Sequence, residues 1–283
     1  MPMPEFATRP RLPTPTGAVD THIHVYDAKY KLAPTAKLAA PDAPVAAYEK
    51  VMRRLGLDRV VIVQPTAYGT DNRCTLEGMK FLGRARARGI ATIDENVTDT
   101  ELDALTSAGI VGARLHMLPG GAIGWHQVDA VAGRARDAGW HVQFQMDGRL
   151  FPDREKQILS WTDTIVIDHI GKFLEPVPPE HKAFKSLLRM VETGRVWVKL
   201  SAAYEVSRTG PPHYEDVGRL ARILARAAPE RMLWASNWPH PPIPEADKPD
   251  DAHLLDLLSE YVPDEKTRHM VLVDNPAKLY GFS

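Results

Sequence analysis

Eight short runs of β-branched and other apolar residues recur along this chain, and amphipathic stretches of helical period lie between most of them. The runs are 18–26 (AVDTHIHVY), 59–65 (RVVIVQP), 90–96 (IATIDEN), 111–118 (VGARLHML), 140–146 (WHVQFQM), 164–171 (TIVIDHIG), 195–201 (RVWVKLS) and 232–239 (MLWASNWP). Several are apolar on both faces, the pattern of strands buried in a parallel sheet. The stretches 46–57, 75–89, 98–109, 128–139 and 215–229 gather apolar residues on one helical face, and four of them end on a glycine suited to a left-handed cap: Gly56, Gly89, Gly109 and Gly139. Thr98 and Glu101 have capping-box spacing. Strand and helix alternating eight times predicts an α/β protein, a (β/α)8 TIM barrel. A doubly wound open sheet would carry a Gly-rich phosphate loop after an early strand, and the sequence has none.

The 283 residues suit one large barrel. Residues 1–17 read as a Pro-rich N-terminal arm and 18–283 as a single barrel domain. The Pro-rich loop after Pro241 leads to helices at 251–262 and 264–280, expected to cap the barrel. A net charge of −1 argues against a nucleic-acid or membrane-surface partner. No 18-residue apolar run exists to span a membrane, and the N-terminal arm lacks the apolar core of an export signal. Cys74 is the only cysteine, so no internal disulfide can form. It is expected to pack at a helix start rather than serve as nucleophile. A cytoplasmic protein acting on a small molecule is the expectation, with homo-oligomerisation left open.

In such barrels the chemistry sits at the C-terminal ends of the strands. His22 and His24 lie two apart on the first strand and so share a face. The other strand ends offer Gln64, Thr66, Tyr68, Arg114, Gln145, Asp168, His169, Tyr204, Arg208, Asn237 and His240. A purely structural barrel has no need of so many polar groups at one end. Lys199 is expected in the barrel wall or paired with an acid, and His240 behind the site. His116, His126, His181, His213, His253 and His269 read as surface or packing residues.

The HxH of strand one, IDHIGK of strand six, WASNWPHP of strand eight and the late NPAKLY together resemble the amidohydrolase superfamily. More narrowly, they are similar to its branch of 2-pyrone-4,6-dicarboxylate lactonase and galactarolactone isomerase, over residues 17 to about 280. The resemblance implies catalytic roles for His22, His24, His169 and Asn237. His22 and His24 would hydrogen-bond the lactone carbonyl, and His169 would move a proton between the incoming and leaving oxygens. Arg114 would meet the substrate carboxylate, with Thr66, Tyr68, Gln145, Lys172, Tyr204 and Arg208 around it.

The departures from the family pattern matter as much. Its last strand ends in a Thr-Asp-Trp-Pro-like sequence whose Asp binds metal or activates water, and this chain has Asn237, which cannot accept a proton at neutral pH. Strand four has no lysine to bridge two metals, and strand five has no histidine at its C-terminal end. No metal and no cofactor are therefore expected. A lactone site without a water-activating base implies acyl migration: a substrate hydroxyl attacks, and D-galactaro-1,5-lactone becomes D-galactaro-1,4-lactone, a step of uronic-acid catabolism. A lactone hydrolase with another base, a barrel that only binds ligand, and a metal-dependent decarboxylase are the alternatives.

Overall fold

The computed structural model describes residues 8–283. Eight strands, β1 (Val19–Ile23), β2 (Arg59–Val63), β3 (Ala87–Ala91), β4 (Ile110–His116), β5 (His141–Gln145), β6 (Ile165–Ile167), β7 (Val196–Leu200) and β8 (Met232–Trp234), pair in sequence order, every pair parallel. Helices α1 (Val45–Leu55), α2 (Arg73–Leu82), α3 (Asp99–Ala108), α4 (Val128–Asp137), α5 (Phe151–Leu159), α6 (Lys182–Glu192), α7 (Glu215–Ala227) and α8 (Asp251–Tyr261) follow the strands. This is the (β/α)8 barrel that the alternation predicts. Two short helices, α9 (Glu265–His269) and α10 (Asn275–Tyr280), complete the chain.

The apolar spacing explains the packing of each helix. Helix α1 buries Tyr48, Val51, Met52 and Leu55, one stripe at helical spacing, and stops at Gly56, whose φ of 72° is left-handed. The capping box of α3 is formed, Thr98 and Glu101 each bonding the other's backbone N–H. Helices α5 and α6 fill the two connections for which the sequence pattern names no helix. The stretch 75–89 is not one helix. It breaks at Gly83 (φ 84°), and Gly89 lies inside β3 rather than capping α2. Any Cβ at Gly89 would come within 2.4 Å of Met79 Sδ, so this glycine lets α2 press against the sheet.

The β1/β8 seam is closed by a few hydrogen bonds. His24 N donates to Trp238 O (2.8 Å) and Asn237 N to His22 O (2.9 Å). Behind them the buried Asp20 carboxylate accepts from Ser236 N (3.0 Å), Ser236 Oγ (2.5 Å) and Tyr48 OH (3.0 Å). Residues 8–17 lie along the barrel: Arg11 N and Leu12 N donate to Asp256 (2.7 and 2.9 Å), and Thr14 Oγ1 donates to Leu55 O (2.9 Å). Residues 1–7 of the expected arm lie outside the described residues. No described helix is long and apolar enough to cross a membrane.

Candidate active site

A cavity of about 180 Å³ opens at the C-terminal ends of the strands, lined by His24, Arg114, His116, Gln145, His169, Lys172, Glu205 and Asn237. The loop after β1 adds Tyr26, Lys37 and Leu38, the turn after β2 adds Thr66, and Pro241 and Pro242 follow β8. The volume is below the ~300–1,000 Å³ of drug-sized pockets and suits a small metabolite. Arg114 donates Nη1 to Gln64 O (2.8 Å) and Nη2 to Gln145 Oε1 (3.3 Å). Its buried Nε has no protein partner, nor has the buried Nδ1 of His116. Two orphaned polar atoms beside one cavity are what a polar ligand would satisfy.

Beneath the cavity lies a sealed polar layer. Lys199, fully buried, donates to Thr21 O (2.9 Å) and Gln143 Oε1 (2.7 Å) and lies 3.5 Å from Asp168. Gln143 Nε2 donates to Asp168 Oδ2 (3.1 Å). Burial brings the Lys199 ammonium down to about 8 against the pull of Asp168, so it remains charged at pH 7. Burial is the largest influence on Asp168 and would raise it, but Lys199, His169, Arg114 and the Gln143 hydrogen bond together hold the carboxyl below its usual range.

His22 and His24 converge as their spacing predicts, Nε2 to Nε2 at 3.2 Å. Burial holds His24 down at about 3 and His22 well below its ordinary value, so both are neutral. His24 Nδ1 sits 2.8 Å from Val63 O, which can only accept. His24 Nδ1–H therefore donates to Val63 O, while His22 Nδ1 lies 3.3 Å from each of Lys199 Nζ, Gln143 Nε2 and Asp168 Oδ1. The neutral His24 spends its one N–H on Val63 O, and His22 is fully buried beneath the cavity, so neither meets a lactone carbonyl as a donor. The expected role of the pair as carbonyl donors is corrected accordingly: His22 lies under the cavity, and His24 forms part of its floor.

His169 is placed differently. Its Nδ1 bonds Ser201 Oγ at 2.9 Å, which leaves Nε2 for the cavity. Burial holds it well below the usual imidazole range, against Asp168. Asn237 donates Nδ2 to Tyr204 OH (2.9 Å) and to Glu205 Oε1 (2.7 Å). The other Glu205 oxygen contacts Lys172 Nζ, with both side chains under a tenth exposed. Burial draws Lys172 down to about 7, with Asp168 opposing. All seven described non-glycine residues with positive φ lie on the loops after β6, β7 and β8: His169, Ile170, Lys172, Ala202, Tyr214, Asn237 and His240. Such backbone is retained where the surroundings enforce it, most often at functional sites.

Of the other expected site residues, Thr66, Arg114, Gln145 and Lys172 line the cavity. Tyr204 stands behind it, its hydroxyl between Asn237 and His240 Nδ1 (2.8 Å), and His240 Nε2 meets Asp251 (3.1 Å). Tyr68 and Arg208 do not fit their expected roles. The Tyr68 hydroxyl is spent on the backbone N–H and C=O of Asp27, both at 3.0 Å, and Arg208 is exposed beside Glu175. Cys74 is buried at the start of α2, with Sγ 3.6 Å from Val25 O. Several cavity residues were not expected from the sequence, Lys37, His116 and Glu205 among the polar ones. His116 stands two after Arg114, the same parity that pairs His22 with His24. Glu205 directly follows Tyr204.

Among the described residues, His22, Asp168 and His169 form the one group with metal-donor spacing, their ligand atoms within 4.8 Å of each other. The set does not fit a resident divalent cation. The Asp168 charge is already met by Lys199, which also lies 3.3 Å from His22 Nδ1, and Asn237 supplies an amide committed to Tyr204 and Glu205.

This arrangement agrees with what the chain is similar to. The Amidohydrolase family model matches residues 19–282. D-galactarolactone isomerase of Agrobacterium fabrum is 39% identical over 98% of this chain and 95% of its own length. 4-sulfomuconolactone hydrolase of Rhizobium radiobacter is 34% identical over 94% of this chain and 91% of its own. An apo crystal structure from Agrobacterium tumefaciens superposes with a TM-score of 0.90 at 38% identity, covering 97% of this chain and 99% of that one. With family match, barrel and polar strand ends in agreement, the chain belongs to the amidohydrolase family.

Proposed function

We propose that this protein is a sugar-lactone isomerase that converts D-galactaro-1,5-lactone to D-galactaro-1,4-lactone by intramolecular acyl migration, without a metal, in uronic-acid catabolism. The observation that carries the reading is Asn237: at the end of β8 an amide, hydrogen-bonded to Glu205 and Tyr204, stands where the hydrolytic pattern calls for a carboxylate. A site that binds and polarises a lactone but activates water poorly leaves the substrate's own hydroxyl as nucleophile. That hydroxyl is tethered, and effective molarities for well-oriented groups reach about 10⁵ M or more. The free Nε of Arg114 is the partner for the substrate carboxylate. His169 Nε2 serves the lactone carbonyl, and Thr66, Gln145 and Lys172 serve the hydroxyls. The relative named as a galactarolactone isomerase supports this substrate. The lone buried Cys74 accords with a cytoplasmic location.

The second reading is a lactone hydrolase, favoured by the relatives that carry hydrolase names. Proton NMR of freshly made D-galactaro-1,5-lactone with metal-stripped enzyme separates the two. The expected result is 1,4-lactone ahead of any open-chain acid. Open-chain acid appearing first would make the protein a hydrolase.

A further inference from the structure

We propose that Glu205 is the catalytic proton acceptor and donor of the acyl migration. The inference rests on the isomerase reading and names the group that reading lacks. Among the described residues, Glu205 is the sole carboxylate lining the cavity, facing three cationic side chains in the same wall: Lys37, Arg114 and Lys172. Its placement is specific. Oε1 accepts from Asn237 Nδ2 at 2.7 Å, so it adjoins the residue where the family pattern has its base. Oε2 contacts Lys172. The side chain is 7% exposed, so two partners hold it and bulk water scarcely reaches it. Each carboxylate oxygen has a second lone pair for a substrate hydroxyl.

The exchange balances within the substrate and this one side chain. Glu205 takes the proton of the attacking hydroxyl as that oxygen bonds to the carbonyl carbon, and the carbonyl electron pair moves onto its oxygen. On collapse the bond from that carbon to the ring oxygen breaks, and the departing oxygen takes the proton back from Glu205. Nothing is oxidised and no water is consumed. In a 1,5 to 1,4 shift the two oxygens sit on adjacent carbons, within reach of one carboxylate. His169, expected from the sequence to carry this proton, is held neutral by burial and is a weak base; it is left to the carbonyl oxygen.

The test is Glu205→Gln, with Glu205→Asp beside it, assayed by NMR on D-galactaro-1,5-lactone. General acid–base groups contribute about 10²–10⁴-fold. Glu205→Gln should lower kcat at least about 100-fold with KM changed less than about threefold; Glu205→Asp should recover part of the rate. Calorimetric binding of the 1,4-lactone by Glu205→Gln confirms that its site is folded. A folded Glu205→Gln retaining kcat within about threefold of wild type overturns the proposal and leaves the isomerase reading standing. Wild type that fails to isomerise the 1,5-lactone overturns both.

Discussion

Asn237 is the residue on which the two lactone chemistries divide. Its amide donates to Glu205 at 2.7 Å, so Asn237→Asp would set a second carboxylate against the first. Like charges at that distance cannot both ionise freely, and one must hold a proton. The expected outcome is at least a tenfold loss in kcat/KM for isomerisation with no gain in hydrolysis, followed by NMR of both products; a hydrolase would tolerate the change or improve. At this scale the sequence is readable where a strand dictates direction. The parity of His22 with His24 and the placement of Arg114 and Gln145 towards the cavity follow from alternation along β1, β4 and β5. It becomes unreadable several residues past a strand end, as at Tyr68 after β2 and at Glu205 and Arg208 after β7. There the loop's own path sets the direction of a side chain, so Tyr68 and Arg208 point elsewhere while Glu205 points in.

The elements themselves were legible because several strands are apolar on both faces, as a parallel sheet covered by helices demands. What periodicity could not show is where α2 yields to β3, since the arginine-rich stretch before Gly89 fits a helix face equally well. Nor does it show how the barrel shuts. The β1/β8 seam depends on Asp20, whose carboxylate gathers three donors from the loop just after β8 and from α1. Asp20→Ala strands the Ser236 N–H and the Tyr48 hydroxyl in a dry interior. Buried polar groups left unsatisfied cost roughly 1–3 kcal/mol each. A loss of about 2–4 kcal/mol in urea unfolding is expected, with α-helical circular dichroism kept at zero denaturant.

For the molecule as a whole, the interior holds several imidazoles that burial keeps neutral: His22 and His169 well below their ordinary value, His24 and His141 at about 3. The unfolded chain takes these protons near pH 6.5, and the folded chain only far lower. The stability they confer is therefore full above 6.5 and lost as pH falls from there towards 3. Each histidine contributes a slope of about 1.4 kcal/mol per pH unit in that window. Asp20, raised by burial to about 6, acts oppositely between 6 and 4, but it is one group against five, since His116 is lowered too. Unfolding free energy should drop steeply between pH 6.5 and 5, measurable as a falling urea midpoint; a flat profile would show that these rings are hydrated in the native state.

The left-handed residues on the loops after β6, β7 and β8 carry a consequence for how such a protein can change. Each non-glycine residue held there costs on the order of 1–3 kcal/mol. Glycine would relieve much of that, most simply at Ala202, where only a methyl is given up. Selection for heat tolerance would thus push these loops towards glycine, and selection for turnover would push back, because the same turns aim His169, Lys172 and Asn237. Heat tolerance and catalytic speed compete on one rim of the barrel, while the rest of the fold is free to drift.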